Sequence, residues 1–502
     1  MSSTSTNSSD EKGGRRFPST GSSVADAAIT TLIGLGAVFI GGVIYMAWYK
    51  KNVLDKIEKA FSAGYDPALE LAVRHKAEDN GASGQTPGPE HLRRKEQDLI
   101  DRVIKGEEIG QYFLLLGPKG TGKATMILDA MKTIEAEGFA MCDAHPDLEV
   151  FRLRLGKALN FEYYEDTQTG LFQRRDPREG GPALDIERAF SKLEKVALRY
   201  ARRTGRPLVL VVNNIHFFMH NDDGTNMLLQ LQQRAEAWAA AGILTMVLTC
   251  DDFWPYMTLR KTASRMQIVS VTDLKFKDGL RAFQRLRRRA GRQPVTPEVF
   301  EEAMSITGGR LAYMAQISKE SDILERSRRM LAVEKAWLQS VIGLIPDCDD
   351  DVMDEQKWSS TSWLLLREFV KQRREDERKR EEVLVVGELS AEDLEELPLP
   401  KISYYRCRQI MTRADFLEDL DRANIIAIDV NHDVTPDSLL VLRAAAEVVE
   451  DEGFNELLEN VLDRVDEIES LHRTRELTFK DVDAGDRIRV TVDKRGARLI
   501  ED

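Results

Sequence analysis

Hydrophobic residues recur along this chain in three patterns. The first is an unbroken apolar run, Ala27 to Tyr49 (AAITTLIGLGAVFIGGVIYMAWY), without a charged residue. At about 1.5 Å per residue it makes a helix of roughly 34 Å, enough for a hydrocarbon core of about 30 Å. Tyr45, Trp48 and Tyr49 cluster at its end, and Lys50 and Lys51 follow directly, as the aromatic belt and cationic anchors of a membrane interface do. A cleaved secretory signal fits poorly, because the run is long and starts well inside the chain. The second pattern is helical: Asn52 to Lys76 carries Val53, Ile57, Phe61, Leu69 and Leu71 on apolar positions, until DNGASGQTPGPE, ending at Glu90, breaks it.

The third pattern starts at His91, where helical and short apolar stretches alternate. Helix 92–105, strand YFLLLG, helix 123–136, strand Phe139 to Asp143 and helix 147–159 come first. After a polar insertion, YYEDTQTGLFQRRDPREGG, come helix 184–203, strand PLVLVV, helix 224–240 and the strands ILTMVLT and QIVSV. Short apolar strands separated by longer helices predict a parallel sheet covered on both faces. Lys275 to about Ile345 is helical throughout, and DCDDDVMDEQ follows it. Residues 355–382 read as a helix ending in KQRREDERKREE, a solvated charged face. Beyond the linker SAEDLEELPLP, residues 403–450 give helix, turn, helix (Ala414 to Asn424), strand (Ile425 to Asp429) and helix, and LTFKDV and DRIRVTVDKRGARLI close the chain with strands. The expected organisation is a tail over 1–24, a transmembrane helix over 25–50, a helix and linker over 51–90, an α/β domain over 91–274, a helical lid over 275–346 and a winged-helix-like domain over 347–502.

Composition narrows the function. At 502 residues the chain holds more than one core, and a net charge of −13 opposes coating of nucleic acid by bulk electrostatics. Cys142, Cys250, Cys348 and Cys407 are far apart, with no CxxC pair, so they read as reduced structural thiols and no metal site is expected. Arg15 and Arg16 precede the span while Lys50, Lys51, Lys56 and Lys59 follow it; the excess of cations after the span places the large C-terminal part in the cytosol or matrix, where ATP is present.

The chemistry sits in GPKGTGKAT, which follows one apolar strand and opens a helix. Gly117, Gly120 and Gly122 let backbone N–H groups converge on phosphate oxygens, and Lys123 reaches the β- and γ-phosphates. Gly117, Pro118, Lys119, Gly120, Thr121, Gly122, Lys123, Ala124 and Thr125 are thus the candidate ATP contacts. Ala124 stands where a Ser or Thr hydroxyl ordinarily ligates Mg²⁺, and Thr125 is turned about 100° away along the helix. The strand PLVLVV, expected to end in a metal-holding carboxylate followed by a base, ends in Asn213 and Asn214, and an amide is no general base. Asp251 and Asp252, after the next strand, are the nearest carboxylates. Arg310, in ITGGR, is a candidate γ-phosphate contact from the lid, and Arg265 a weaker candidate for bridging subunits of an oligomer.

LRRKEQDLI, GPKGTGKAT, PLVLVVNN, VLTCDDFW and ITGGR resemble the nucleotide module of AAA+ proteins of the origin-recognition or archaeal-type ATPase branch. AFSAGYDPALELA and IMTRADFLEDLDRANIIAID further resemble fungal membrane-anchored AAA proteins with a C-terminal winged helix; the resemblance covers roughly residues 50–480. It implies a P-loop NTPase fold, an ATP-binding domain with a small helical lid and an appended winged helix, and, from some relatives, the mitochondrial inner membrane. It also implies that the paired asparagines are ordinary for the group, whereas Ala124 departs from it. The expected function is a nucleotide-dependent switch at a membrane with weak or absent hydrolysis. The alternatives are a scaffold holding nucleotide as a structural ligand and a nucleic-acid binder acting through the winged helix. Residues 392–450 carry six Lys and Arg against thirteen Asp and Glu, a balance that favours a protein partner over DNA.

Overall fold

The computed structural model describes residues 23–65, 94–163, 181–386, 397–478, 488–493 and 496–501. Five parallel strands form the central sheet: β1 (Tyr112–Leu116), β2 (Phe139–Asp143), β3 (Leu208–Asn213), β4 (Leu244–Cys250) and β5 (Met266–Ser270), in the order β2-β3-β4-β1-β5. Because β1 lies between β4 and β5, the chain leaving it must cross over two strands to reach β2. That switch of direction opens a crevice at the carboxyl end of β1.

Alternation along the strands sorts the core into two layers. Phe113, Leu115, Val209, Val211 and Val247 point to one face, under α2 (Gln97–Ile104) and α3 (Lys123–Thr133). Tyr112, Leu114, Leu116, Leu210 and Met246 point to the other, under α4 (Leu148–Ala158), α5 (Gly181–Thr204) and α6 (Asp222–Ala241). A short helix between β4 and β5, α7 (Trp254–Arg260), lies outside the sequence reading. It is buried at Trp254, Tyr256 and Leu259, so it lacks the polar face that gives a helical period away, although Pro255 in its first turn is a start signal.

The first helix, α1 (Ser23–Ala60), runs without a break from the apolar run into the soluble domain. It ends at Ala60 rather than near Lys76; residues 66–93, including Leu69, Leu71 and the Gly/Pro-rich stretch, lie outside the described residues. Tyr49, Val53, Ile57, Ala60 and Phe61 are buried in the same core as α5, and Asp55 and Glu58 pair with Arg199 and Arg203. The turns after the apolar run are thus part of the α/β core. Ile57→Ala is expected to destabilise that core by about 2–5 kcal/mol, read as a lowered denaturant midpoint of the full chain in detergent.

The lid comprises α8 (Phe276–Arg289), α9 (Pro297–Thr307), α10 (Leu311–Ile317) and α11 (Ile323–Val341). α12 (Met353–Val386) follows, then β6 (Ile402–Ser403), α13 (Tyr404–Met411), α14 (Ala414–Arg422), β7 (Ile426–Ile428), β8 (Asp433–Pro436) and α15 (Leu439–Glu450). The three strands form an antiparallel sheet in the order β6-β8-β7, with helices α13 and α14 before the β7–β8 hairpin. α16 (Phe454–Thr478) takes in Leu477 and Thr478, expected as the start of a strand; the remainder of LTFKDV lies outside the described residues. β9 (Ile488–Asp493) and β10 (Gly496–Glu501) form the expected terminal hairpin. The winged-helix core is continuous with both neighbours: Leu417, Leu420 and Val434 join the α/β core, and Leu440 joins the lid.

Candidate nucleotide site at the carboxyl edge of the sheet

The phosphate loop leaves β1 at Leu116 and closes into α3 at Lys123. Its glycines are required by space as well as by dihedral. A Cβ on Gly117 would lie 2.0 Å from the Val271 carbonyl oxygen, and Gly120 and Gly122 have φ of +80° and +101°, which L side chains rarely adopt. The Thr121 hydroxyl, fully buried, donates to the Pro118 carbonyl at 2.9 Å. Lys119 is exposed at the tip, Ala124 is half-buried and Thr125 is exposed.

Lys123 is only 6% exposed. Its Nζ donates to the carbonyls of Gly117 and Pro118 at 2.5 and 2.9 Å and pairs with Asp251 Oδ1 at 2.7 Å. Asp251 also receives His216: the Asp251 amide donates to His216 Nδ1 at 3.2 Å, and His216 Nε2 lies 3.8 Å from Asp251 Oδ2. Burial holds the His216 imidazole below its usual pKa, Lys123 and Lys119 lower it further, and Asp251 opposes them. The carboxylate that pairs with Lys123 therefore comes from the end of β4.

Asn213 and Asn214 stand at the end of β3, beside that carboxylate. Asn213 Nδ2 donates to Asp143 Oδ1 at 2.8 Å, and Asn213 Oδ1 accepts from the Thr249 hydroxyl at 2.5 Å. Asn214 adopts the left-handed region, φ 56°, and its amide donates to Thr249 Oγ1 at 2.8 Å. The pair ties the ends of β2, β3 and β4 together. Both polar ends of the Asn213 side chain are used in doing so.

Arg310 is brought to the loop, but its guanidinium is not free. Its Cδ lies 3.6 Å from the position of a Cβ on Gly120. Nε and Nη2 donate to Asp273 at 3.0 and 3.2 Å, and Nη1 and Nη2 reach the Asp437 carboxylate and carbonyl of the winged helix. At 2% exposed it is the joint between core, lid and winged helix. The double glycine before it makes the joint close: a Cβ on Gly309 would lie 1.8 Å from the Leu274 carbonyl oxygen, and one on Gly308 2.9 Å from Leu439 Cβ. From the other side of Arg310, the Ala312 amide donates to the Gly120 carbonyl at 3.1 Å, and Cβ atoms on Gly120 and Gly122 would meet Ala312 and Leu311 at 2.7 and 2.8 Å. The lid thus rests on the phosphate loop.

The fold also places Arg94, which the sequence did not single out, and Arg265, which it did. Arg94, in the motif LRRKEQDLI, is buried and donates to the Thr121 carbonyl at 2.8 Å and to the Thr272 carbonyl, strapping the loop to the segment after β5. Arg265 is exposed at the amino end of β5, where its Nη1 lies 3.4 Å from the Gly110 carbonyl, a strand length from the phosphate loop.

Asp252 and Asp421 meet where the core touches the winged helix. Asp421 Oδ2 accepts the Phe253 amide at 2.7 Å, and burial pushes its carboxyl well above the usual range. Asp252 is pushed up to about 7 by burial and then by Asp251, with Arg422, Lys123 and Lys119 pulling the other way. The folded chain keeps a proton that the unfolded chain releases near 3.8. Asp252 therefore favours the fold most below about pH 4, and that contribution is lost as the pH rises to about 7. Asp252→Asn should flatten the fall in melting temperature between about pH 5 and about pH 7.5; an unchanged slope would assign the effect to another group.

The model of the fungal AAA protein C-terminal winged helix domain matches residues 339–469. No curated protein matches the chain. Among solved structures, the chain is similar to a Walker-type ATPase of Pyrococcus abyssi, at 13% identity and a TM-score of 0.43, over 73% of this chain and 99% of that one. It is similar to the ORC1 protein of Aeropyrum pernix in complex with DNA, at 13% identity and a TM-score of 0.32, over 72% and 94%. It is also similar to AMPPCP-bound DnaA from Aquifex aeolicus, at 12% identity and a TM-score of 0.30, over 54% and 80%. The P-loop fold itself is carried by the parallel sheet order and the loop between β1 and α3, and residues 339–469 are similar to the C-terminal winged helix domain of fungal AAA proteins.

Proposed function

We propose that the chain is a membrane-anchored, ATP-binding switch that turns its nucleotide over very slowly or not at all. The observation that carries the reading is the state of the loop: Asp251 holds Lys123, and the lid touches Gly120 and Gly122. Phosphates entering the loop would compete with Asp251 for the lysine and push on Leu311 and Ala312. Arg310, the residue before them, is clamped to Asp437, so displacement of the lid is passed to the winged helix. A ligand shifts such an equilibrium only by binding the two arrangements unequally, and this contact supplies the difference. The residues fit a nucleotide's phosphates, with Gly117 to Lys123 supplying amides and one cation. They fit Mg²⁺ less well, because Ala124 offers no hydroxyl and Asn213 no carboxylate; Asp251 and Asp143 are the acids nearby.

Hydrolysis needs a metal-held γ-phosphate and an activated water. Phosphate release by the full chain in lipid nanodiscs with Mg²⁺-ATP is expected to fall far below about 1 s⁻¹, the low end of ordinary turnover. Ala124→Thr, Asn213→Asp and Asn214→Glu together are the smallest set expected to raise it, since each supplies one missing group. A native rate of about 1 s⁻¹ or more, lost in Lys123→Ala, would show that Asp251 or Asp252 serves the chemistry. Nucleotide exchange separates switch from scaffold: exchange within seconds supports the switch, and co-purified nucleotide that never leaves supports a structural ligand.

The membrane reading rests on the apolar window of α1, whose mean hydropathy is 2.2 and none of which is buried against the protein. The cations Lys50, Lys51, Lys56 and Lys59 after the span support a soluble part on the ATP-containing side, and the resemblance adds the mitochondrial inner membrane. Although one similar protein was solved with DNA, α14 here carries Asp415, Glu418, Asp419 and Asp421, Glu418 pairs with His220 and Asp421 caps Phe253. An acidic helix already occupied by its own core suits a protein partner better than phosphates.

A further inference from the structure

We infer that the carboxyl edge of the sheet, which carries the phosphate loop, faces the bilayer and that the adjoining ends of α4 and α5 lie at the phospholipid headgroups. The inference rests on the membrane reading of α1 and adds an orientation that the apolar run alone does not contain. α5 leads through Gly205 to Pro207 into the first residue of β3, so its C-terminus is at the amino edge of the sheet. α1 runs parallel to α5, because Asp55 pairs with Arg199 and Glu58, further along, pairs with Arg203. Its end is fixed at the same edge: the Phe61 carbonyl accepts the amide of Gly138, immediately before β2, at 2.8 Å, and the Gly64 amide donates to Glu135. Asn160, just beyond the C-terminus of α4, donates to the Lys56 carbonyl at 3.2 Å. α1 therefore runs antiparallel to the strands, and the apolar run emerges past their carboxyl ends.

The length of the docked segment sets the height. From Phe61 back to Tyr49 the helix rises about 18 Å, and the five residues of β2 extend about 17 Å. Tyr49 is thus near the level of the strands' carboxyl ends, and it is already 9% exposed against the core, while Trp48 and Lys50 on either side are exposed. No spacer separates the aromatic belt from the folded domain. A headgroup layer of about 5–8 Å on each side of the hydrocarbon then meets the domain at that edge. Leu184, in the first turn of α5, and Leu153, in α4, are left 43% and 58% exposed there and serve as reporters.

The test uses the full chain in nanodiscs of a zwitterionic phospholipid containing a headgroup-borne quencher. Single cysteines are introduced as Leu184→Cys, Leu153→Cys, Arg206→Cys or Lys105→Cys and labelled with a fluorophore; the four native cysteines are buried. Along α5 alone, Leu184 is separated from Thr204, two residues before Arg206, by about 30 Å. Quenching several-fold greater at 184 and 153 than at 206 and 105 is expected. A reversed or flat gradient in chains that resist carbonate extraction overturns the orientation and leaves the span intact. Extraction of the chain by carbonate would overturn the span and, with it, the orientation.

Discussion

Arg310→Ala is expected to cost roughly 3–5 kcal/mol, the range for breaking a buried ion pair from one side, and to loosen the winged helix from the lid. Arg310 donates to Asp273 and Asp437 together, and its guanidinium is held more firmly charged than usual: burial opposes the charge, and Asp437 and then Asp273 outweigh it. Asp437 depends on it in turn. Burial pushes that carboxyl up to about 6, with Arg310 the group that restrains it. Without the arginine, two carboxylates are left in one buried joint. The measurement is the denaturant midpoint of the full chain, followed by limited proteolysis between α11 and α12. Arg310→Lys should rescue little, since an ammonium cannot meet two acids in the planar fork that guanidinium offers. A loss below about 1 kcal/mol, the worth of an exposed pair, would remove the joint from the switch mechanism.

Lys123→Ala is expected to weaken ATP binding by about 100-fold or more, equivalent to roughly 2.7 kcal/mol, because the loop's one buried cation disappears while its amides remain. The informative partner is Asp251→Asn. If Asp251 competes with phosphate for the lysine, its neutralisation should tighten ATP binding, by about tenfold for 1.4 kcal/mol. If Asp251 instead holds the metal, binding should weaken and lose its Mg²⁺ dependence. The double variant Lys123→Ala, Asp251→Asn controls for folding: it leaves no unpaired carboxylate beside Asp252, yet should bind no better than Lys123→Ala. Equilibrium titration with a fluorescent ATP analogue reads all four chains.

Much of this site is legible in the sequence because its parts are contiguous. GPKGTGKAT is one loop between one strand and one helix, and its glycines are needed for local dihedrals and close approaches. The central strands β1, β3 and β4 are equally visible, since each is buried on both faces and appears as a short apolar run. α7 escapes that reading because it is buried almost all round. α16 lies outside the sequence reading as α7 does, although Leu458, Val461, Val465 and Ile468 recur at intervals of three and four residues.

The sequence by itself determined the apolar run, the phosphate loop, the missing hydroxyl at Ala124, the missing carboxylates at Asn213 and Asn214, and the alternation that makes a parallel sheet. All are set by short-range periodicity or by the identity of one residue. Only the tertiary structure decided that Asp251 holds Lys123, that Arg310 is spent on Asp437, 127 residues away, that Arg94 straps the loop, and that α1 docks into the core with its direction set by α5. These are pairings between side chains far apart in the chain. They depend on how whole elements stack, and no local pattern encodes which of many acids an arginine will meet once the core has closed.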